Sequence, residues 1–269
     1  MIANPTSHST PGGRLVVVGT GIRTGAHLTP EAAYWVRCAD KVFHVVCDPV
    51  SEALLRELNP RAESLVGLYA EGKSRLETYR AMIQRTVAAV EEGLLVCLAA
   101  YGHPGVFAWP THESIRLARA KGYEATMLPG ISTEDCLFAD LGVDPATHGC
   151  QSYEATDFLL RRRRFDPSVP LVLWQVHMIG ERNFRPEGCD RARIQILAEV
   201  LGSHYGTSHE VVCYQSPQLP IQEPTLTRVP LSDLGTHAEL IWTLYVPPRE
   251  QPNVDSEMVL RLGLSAALG

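Results

Sequence analysis

Tyr69, Arg75 and Tyr79 fall within Leu68-Tyr-Ala-Glu-Gly-Lys-Ser-Arg-Leu-Glu-Thr-Tyr79, a loop that runs into a helix. Arg75 and Tyr79 stand at i and i+4, so on a helix they are neighbours on one side. Two phenols and a guanidinium held together can accept a proton and stabilise negative charge, because the guanidinium is a fixed cation that favours a phenolate beside it. The same spacing also suits a plainer arrangement, with Tyr79 packed in the core, Tyr69 a loop aromatic and Arg75 a solvated first-turn residue. A second segment, Tyr101-Gly-His-Pro-Gly-Val-Phe107, directly follows the apolar run Leu94 to Ala100. A tight loop there leaves the end of a buried strand, where an open α/β sheet places its ligand. His103 in that loop is a candidate general base or ligand contact, or an ordinary loop histidine.

The elements that must position these residues alternate between strand-like and helix-like from Arg14 onward, the signature of βα units on a mainly parallel sheet. Leu15 to Val18 reads as the first strand, ended by Gly19-Thr-Gly21. Thr29-Pro30-Glu31 opens a helix with apolar positions Ala33, Val36 and Ala39. Lys41 to Cys47 reads as a strand and Ser51 to Leu58 as a short helix. Ser74-Arg-Leu-Glu77 has the form of a capping box, and the helix it opens runs to about Glu92, with Gly93 as the stop and a buried face of Leu76, Tyr79, Ile83, Val87 and Val90. Leu94 to Ala100 is the central strand, Pro110 to Ala120 a helix, Tyr123 to Leu128 a strand and Ser132 to Leu141 a helix. Gly142 to Tyr153 lacks periodicity and reads as a linker. Beyond it, strands are expected at Leu171 to Val176, His209 to Tyr214, Leu226 to Val229 and Glu239 to Val246, with a helix at Ala192 to Tyr205 and a short one around Met258 to Leu262. The expected organisation is a disordered tail over 1–13, α/β domains over 14–145 and 146–248, and a C-terminal tail over 249–269.

Composition narrows the function. With 269 residues, 45 % of them hydrophobic, the chain can bury a sizeable core. Its net charge of −6 argues against a nucleic-acid partner held through phosphate neutralisation. The run Arg161 to Arg164 is the exception, and reads as a solvated face or as a docking patch for an acidic segment of a partner. The seven cysteines, Cys38, Cys47, Cys97, Cys136, Cys150, Cys189 and Cys213, include no Cys-x-x-Cys pair and suit a reducing cytoplasm. No signal peptide or membrane span is expected. The ten histidines form no His-x-x-x-His pattern, so no metal site is expected. Gly19-Thr-Gly21 with Gly25 loosely fits a dinucleotide pattern, but the next helix starts too far on to aim at a pyrophosphate, and a strand-ending turn with close backbone approach fits better.

Taken together, Gly19-Thr-Gly-Ile22, the Leu68 to Tyr79 segment, Tyr101 to Phe107, Met127-Leu-Pro-Gly-Ile-Ser132, Glu134-Asp-Cys-Leu-Phe-Ala-Asp140 and Tyr153-Glu-Ala-Thr-Asp-Phe158 resemble the borosin peptide-backbone α-N-methyltransferases. These form a branch of the S-adenosylmethionine-dependent tetrapyrrole methylase superfamily. The resemblance covers about residues 14 to 248 and is most specific in Gly-His-Pro-Gly, where tetrapyrrole methylases usually carry Gly-Asp-Pro. It implies a two-domain tetrapyrrole-methylase-like fold with the cofactor cleft between the domains, and a homodimer. It implies cofactor contacts from Tyr101, His103, Val106, Phe107, Ser132 and Thr133, with Gln175, Ser216 and Thr243 from the second domain, and a catalytic group of Tyr69, Arg75 and Tyr79. Fungal members carry a clasp and a core peptide after the catalytic domain; the tail here from Ser256 to Gly269 is shorter than that, so a split form acting on a separate precursor peptide is expected.

That chemistry suits these residue types. An amide nitrogen is a poor nucleophile because its lone pair is delocalised into the carbonyl. As the N–H proton leaves, charge collects on the carbonyl oxygen, where Arg75 would stabilise the transition state more than the ground state. Tyr79 is assigned as the base and Tyr69 to orientation or proton relay, though the residues alone do not rank the two phenols. Two other readings stay open: a tetrapyrrole C-methyltransferase, against which His103 in place of the usual aspartate speaks, and a catalytically silent cofactor-binding module.

Overall fold

The computed structural model describes residues 12–46, 48–185, 190–240 and 243–264. The expected disorder over most of 1–13 and the readings of Cys47 and Cys189 lie outside those residues, as do positions 241–242 of the expected last strand and 265–269 of the tail.

The chain divides into two compact units. The first holds Met1–Val143 with Glu181–Glu187 and Ser216–Thr225. It runs β1 (Arg14–Gly19), α1 (Pro30–Cys38), β2 (Lys41–Val45), α2 (Pro49–Leu58), β3 (Ala62–Ser64), α3 (Arg75–Glu91), β4 (Leu95–Ala100), α4 (Trp109–Ala120), β5 (Glu124–Met127) and α5 (Thr133–Leu141). Its sheet has the order β3-β2-β4-β1-β5, and every pair with a recorded register is parallel. Thr29 and Asp48 cap α1 and α2 by accepting from Ala32 N–H and Ser51 N–H, and a proline follows each cap, where its missing N–H costs nothing. Leu15, Val17, Val96 and Leu98 pack against α3 and α4 residues such as Met82, Val90, Ile115 and Ala118. On the other face Val16, Val18, Cys97 and Ala99 pack against Val36 of α1 and Leu55 of α2. A buried parallel sheet explains why these strands read as apolar runs rather than alternating ones.

The buried stripe of α3 is Thr78, Met82, Ile83, Thr86, Val87, Ala89 and Val90. It is rotated from the expected face, for Leu76 is 44 % exposed and Tyr79 only half-buried. The short strand β3 had no legible pattern in the sequence.

The second unit holds Asp144–Gly180, Gly188–Gln215 and Leu226–Gly269. It contains α6 (Pro145–His148), β6 (Gln151–Glu154), α7 (Ala155–Leu160), β7 (Leu171–Trp174), α8 (Arg191–Tyr205), β8 (Glu210–Gln215), β9 (Thr225–Pro230), β10 (Thr243–Val246) and α9 (Ser256–Arg261). The stretch read as an aperiodic linker thus carries a helical turn and a strand. The sheet order is β6-β7-β10-β8-β9. The expectation of mainly parallel pairing does not hold here: β6 and β7 are parallel, but β10 runs antiparallel to both β7 and β8. The crossover β7-α8-β8 does keep its two strands parallel to each other, as its pattern implies. The last strand inserts between them, and an apolar run carries no mark of its direction. No helix among the described residues is long and apolar enough to cross a membrane.

His44 sits at the centre of β2, buried, and neither ring nitrogen has a hydrogen-bond partner among the described residues. Burial pushes its pKa below the ordinary 6.5, while Glu52 and Glu63 pull it up and Arg56 pushes it down. His27 is shifted the same way, again first by burial. A histidine depressed in the folded state binds fewer protons than in the unfolded one, so its contribution is intact above the unfolded value and is lost as pH falls below it. The expected outcome is a melting temperature that drops between pH 7.5 and 5.5 and drops less in His44→Leu, read by thermal unfolding at each pH.

Candidate active site

The strand order makes one position special. The chain leaves β1 through α1 to reach β2 beyond β4, and leaves β4 through α4 to reach β5 beyond β1. The connections depart on opposite faces of the sheet, so the carboxyl ends of β1 and β4 form a switch point, the place where an open sheet leaves a crevice for a ligand.

Glycines hold that crevice together. Gly19 is in register with Ala100, and beyond it Gly21 and Gly102 exchange two backbone hydrogen bonds of 3.2 and 3.0 Å. Both have φ near +70°, at 71° and 72°, open to glycine without strain. A Cβ on Gly19 would collide with the Gly102 carbonyl oxygen and stand 2.9 Å from Pro104 Cδ. One on Gly130 would lie 3.2 Å from that same oxygen. Three loops therefore converge on one backbone crossing. The glycine pattern after β1 serves this close approach, and α1 begins only at Pro30.

The 101–108 loop is laced to the helix that follows it. Gly105 N–H donates to His103 Nδ1 at 2.9 Å, so Nδ1 is unprotonated and the ring proton is assigned to Nε2. The Thr111 hydroxyl donates to the carbonyls of Pro104 and Ala108, and His112 Nε2 meets the Gly105 carbonyl at 2.8 Å. Phe107 is held at φ +50°, a strained conformation for an aromatic residue of the kind that gathers at ligand sites. Tyr101, Val106 and Phe107 are 38, 38 and 47 % exposed. A rigid loop thus presents two rings and an isopropyl group to whatever enters. Ser132 caps α5, with its N–H and Oγ both 2.7 Å from Asp135 Oδ2 and its Oγ accepting from Asp135 N–H at 3.2 Å, while Thr133 opens the helix. This is a capping box that the sequence reading missed. Ser216 hydrogen-bonds the Cys136 thiol on the same helix, so it joins the first unit rather than the second, correcting the expected placement. Gln175 and Thr243 belong to the second unit, where Gln175 follows β7 in a left-handed conformation at φ +56° and Thr243 lies opposite Trp174.

Arg75 Nε and Nη2 donate to Tyr79 Oη at 3.2 and 2.9 Å. The phenol oxygen accepts both, and the remaining guanidinium N–H groups have no partner among the described residues. Tyr69 meets Tyr79 edge-on with centroids 6.4 Å apart, and Trp109 tilts against Tyr79 at 6.2 Å. Phe184 packs on Tyr69 at 5.0 Å. The three expected residues are in one cluster, and two aromatic members were missed. Trp109 directly follows the His103 loop and is 45 % exposed, so its neighbourhood was legible. Phe184 has no local signal. It arrives because Gly72 N–H donates to its carbonyl at 3.1 Å, its own N–H donates to the Lys73 carbonyl at 2.9 Å, and Arg75 N–H donates to the Arg182 carbonyl at 3.1 Å. The same pairing corrects the expected capping box at Ser74 and Glu77. Ser74 makes no side-chain cap and Glu77 stays exposed; the backbone around Ser74 pairs instead with the 182–184 segment.

Such a cluster can take a proton at a phenol oxygen and hold an anionic oxygen against the guanidinium, beside a rigid apolar platform. No group of three or more His, Cys, Asp or Glu side chains that could hold a metal ion occurs among the described residues.

Residues 14–178, more than half of the chain, match the model of the Tetrapyrrole (Corrin/Porphyrin) Methylases. The chain is 38 % identical over 259 residues to the methyltransferase/ribosomally synthesized cyclic peptide dendrothelin A precursor of Dendrothele bispora, with 94 % of this chain and 62 % of that protein covered. It is 39 % identical over 267 residues to the corresponding omphalotin A precursor of Omphalotus olearius, covering 97 % of this chain and 64 % of the relative. The chain therefore spans less than two thirds of the length of these relatives. Among solved structures, uroporphyrin-III-C-methyltransferase from Thermus thermophilus superposes with a TM-score of 0.63 over 91 % of this chain and 99 % of that one, at 19 % identity. That likeness concerns the fold.

Proposed function

The chain belongs to the tetrapyrrole (corrin/porphyrin) methylase family, and we propose that it uses S-adenosylmethionine to methylate backbone amide nitrogens, iteratively, in a ribosomally made precursor peptide supplied as a separate chain. The observation that carries this reading is the two-donor contact of Arg75 on Tyr79 beside the rigid loop at the β4 end. The relatives' names, which join a methyltransferase to a cyclic peptide precursor, support the substrate class. The resemblance also implies a homodimer, and the cysteine usage suits a reducing cytoplasm; we include both, and light scattering of the purified chain tests the first.

The residues present fit the cofactor. The exposed faces of Tyr101, Val106 and Phe107, with the close glycine crossing beside them, suit a flat base and a sulfonium, with His103, Ser132, Thr133 and Ser216 offering polar groups; Gln175 and Thr243 are included on the resemblance alone. When bound, S-adenosylmethionine supplies an activated methyl group and leaves as S-adenosylhomocysteine. The chain's own work is to align and polarise the amide. Arg75 holds the amide carbonyl oxygen through N–H groups not engaged with Tyr79, drawing the nitrogen lone pair toward an imidate. Tyr79 acts as its phenolate, its own proton having passed to solvent beforehand, and takes the amide proton on Oη, while Tyr69 orients Tyr79 through its edge contact. With the cofactor bound, its methyl group would pass to the amide nitrogen as the C–S bond is given up, and the residues named here would hold that nitrogen in position to receive it.

The test is co-expression with short open reading frames beside the gene, followed by tandem mass spectrometry of the peptides. Methyl-sized increments on main-chain nitrogens, lost in Tyr79→Phe and reduced in Tyr69→Phe, support the reading and the assignment of the base. Methylation of a supplied porphyrinoid, with none on any peptide, would sink it in favour of tetrapyrrole C-methylation.

A further inference from the structure

The run Arg161 to Arg164 has no part in the site above. It follows α7 in the second unit, and Arg162, Arg163 and Arg164 line an open cavity of about 650 Å³ whose apolar floor includes Phe158, Phe165 and Val200, with His204 at its side. The backbone there is unusual. Arg162 N–H donates to the Leu159 carbonyl at 3.3 Å and Arg163 N–H to the Phe158 carbonyl at 3.2 Å. This helix ending places its central residue in the left-handed region and ordinarily uses glycine. Arg162 occupies it at φ +45°. A strained side chain carried at such a point argues for a use of its guanidinium.

The charges around the cavity are unbalanced. Arg161 and Arg163 both pair with Asp157 through Nε, at 2.5 and 2.8 Å, and Arg163 first, then Arg161, holds that carboxyl below its ordinary range. Asp166 is engaged by Ser168. Arg162 and Arg164 make no ion pair among the described residues, and Arg249 donates to the His204 carbonyl at 2.8 Å. Two guanidiniums without a carboxylate, those of Arg162 and Arg164, thus line an apolar depression on a chain whose net charge is −6.

We propose that this cavity docks an acidic segment of the precursor peptide, with carboxylates on Arg162 and Arg164 and one bulky apolar side chain between them. Guanidinium forks match carboxylates bidentately, which favours Asp and Glu as the partners. A nucleic acid would leave the apolar floor unfilled and meet the repulsion of an acidic chain. The proposal rests on the reading of the chain as a peptide methyltransferase and adds how substrate is recruited. Recognition by residues other than Tyr69, Arg75 and Tyr79 raises the local concentration of core amides while leaving the core free of recognition duties.

The experiment uses the full chain and a fluorescein-labelled peptide of three Glu-Glu-Leu-Phe repeats, with its Gln-Gln-Leu-Phe counterpart, read by anisotropy. The acidic peptide is expected to bind about tenfold more tightly than the amide version, with the difference shrinking in high salt. The double variant Arg162→Gly with Arg164→Gln is expected to remove most of that difference, while Arg162→Gly alone does not lower the melting temperature, because glycine suits the left-handed position. Equal binding by the double variant, no binding of the acidic peptide, or arginine-dependent binding of phosphatidylserine vesicles or a single-stranded oligonucleotide in its place would overturn the proposal. Methylation of a core peptide at saturating concentration is measured in parallel. If the wild type methylates that peptide but ignores the acidic one, docking fails and the methyltransferase reading survives. Arginine-dependent binding with no methylation on any peptide leaves the docking site standing and removes the methyltransferase reading.

Discussion

Arg75→Ala is expected to lower the rate of peptide methylation by roughly 100- to 1000-fold, the loss that follows removal of one donor to a developing oxyanion. The guanidinium serves twice in the proposed reaction: it holds the Tyr79 oxygen with Nε and Nη2, and it presents its other N–H groups to the amide oxygen. Arg75→Lys keeps the charge but not the planar fork, so it should recover only a small part of the rate. The fold should survive, since Arg75 is half-buried and its loss removes two hydrogen bonds to one phenol oxygen, worth about 1.5 kcal/mol each for a charged donor that is partly exposed. Arg80, exposed on the same helix, supplies the control: Arg80→Ala should leave the rate unchanged. Single-turnover methylation with bound cofactor separates the chemical step from binding. A rate within threefold of wild type in Arg75→Ala, a negligible change on the scale of about 1.4 kcal/mol per factor of ten, would remove the guanidinium from the mechanism.

Gly19→Ala is expected to be among the most damaging small substitutions near the site. Its methyl group would run into the Gly102 carbonyl oxygen and Pro104 Cδ, and both belong to backbone or a ring that cannot rotate away. Either β1 and β4 part at their carboxyl ends or the 101–107 loop shifts. Overpacking against fixed atoms costs about 3 kcal/mol, and the shift would displace Tyr101 and His103 with it. A lower melting temperature together with loss of measurable S-adenosylmethionine binding in titration calorimetry is therefore expected. Gly67→Ala is the matched control, because a Cβ there meets nothing within 4 Å; it should leave both readouts unchanged. Undiminished cofactor affinity in Gly19→Ala would dissociate the glycine crossing from the binding site.

Much of the first unit could be read from local chemistry. Pro30 and Pro49 each follow a capping side chain, and those caps form. The runs that became β1 and β4 stand out because both faces of their sheet are covered. Other elements could not be read. β3 is three residues long, with every residue half-buried, so neither length nor alternation marks it. The Ser74 box has the right residue types at the right spacing and still does not form; Ser74 and Arg75 pair instead through their backbone with the distant 182–183 segment, which no local pattern announces.

By itself, the sequence determined which residues could meet over short distances. The i, i+4 spacing made Arg75 and Tyr79 neighbours, and the glycines and proline after β4 made a shaped loop at a strand end. Tertiary structure decided how those pieces are used. It turned two Arg75 donors onto the Tyr79 oxygen, set Trp109 and Phe184 against the phenols, and drew Ser216 to Cys136 in the first unit. It also ran β10 antiparallel between β7 and β8. The physical reason is the same in each case. Spacing along the chain encodes which side chains share a face, whereas strand direction and long-range partners depend on which distant backbone groups and apolar faces remain unsatisfied once the local elements have formed.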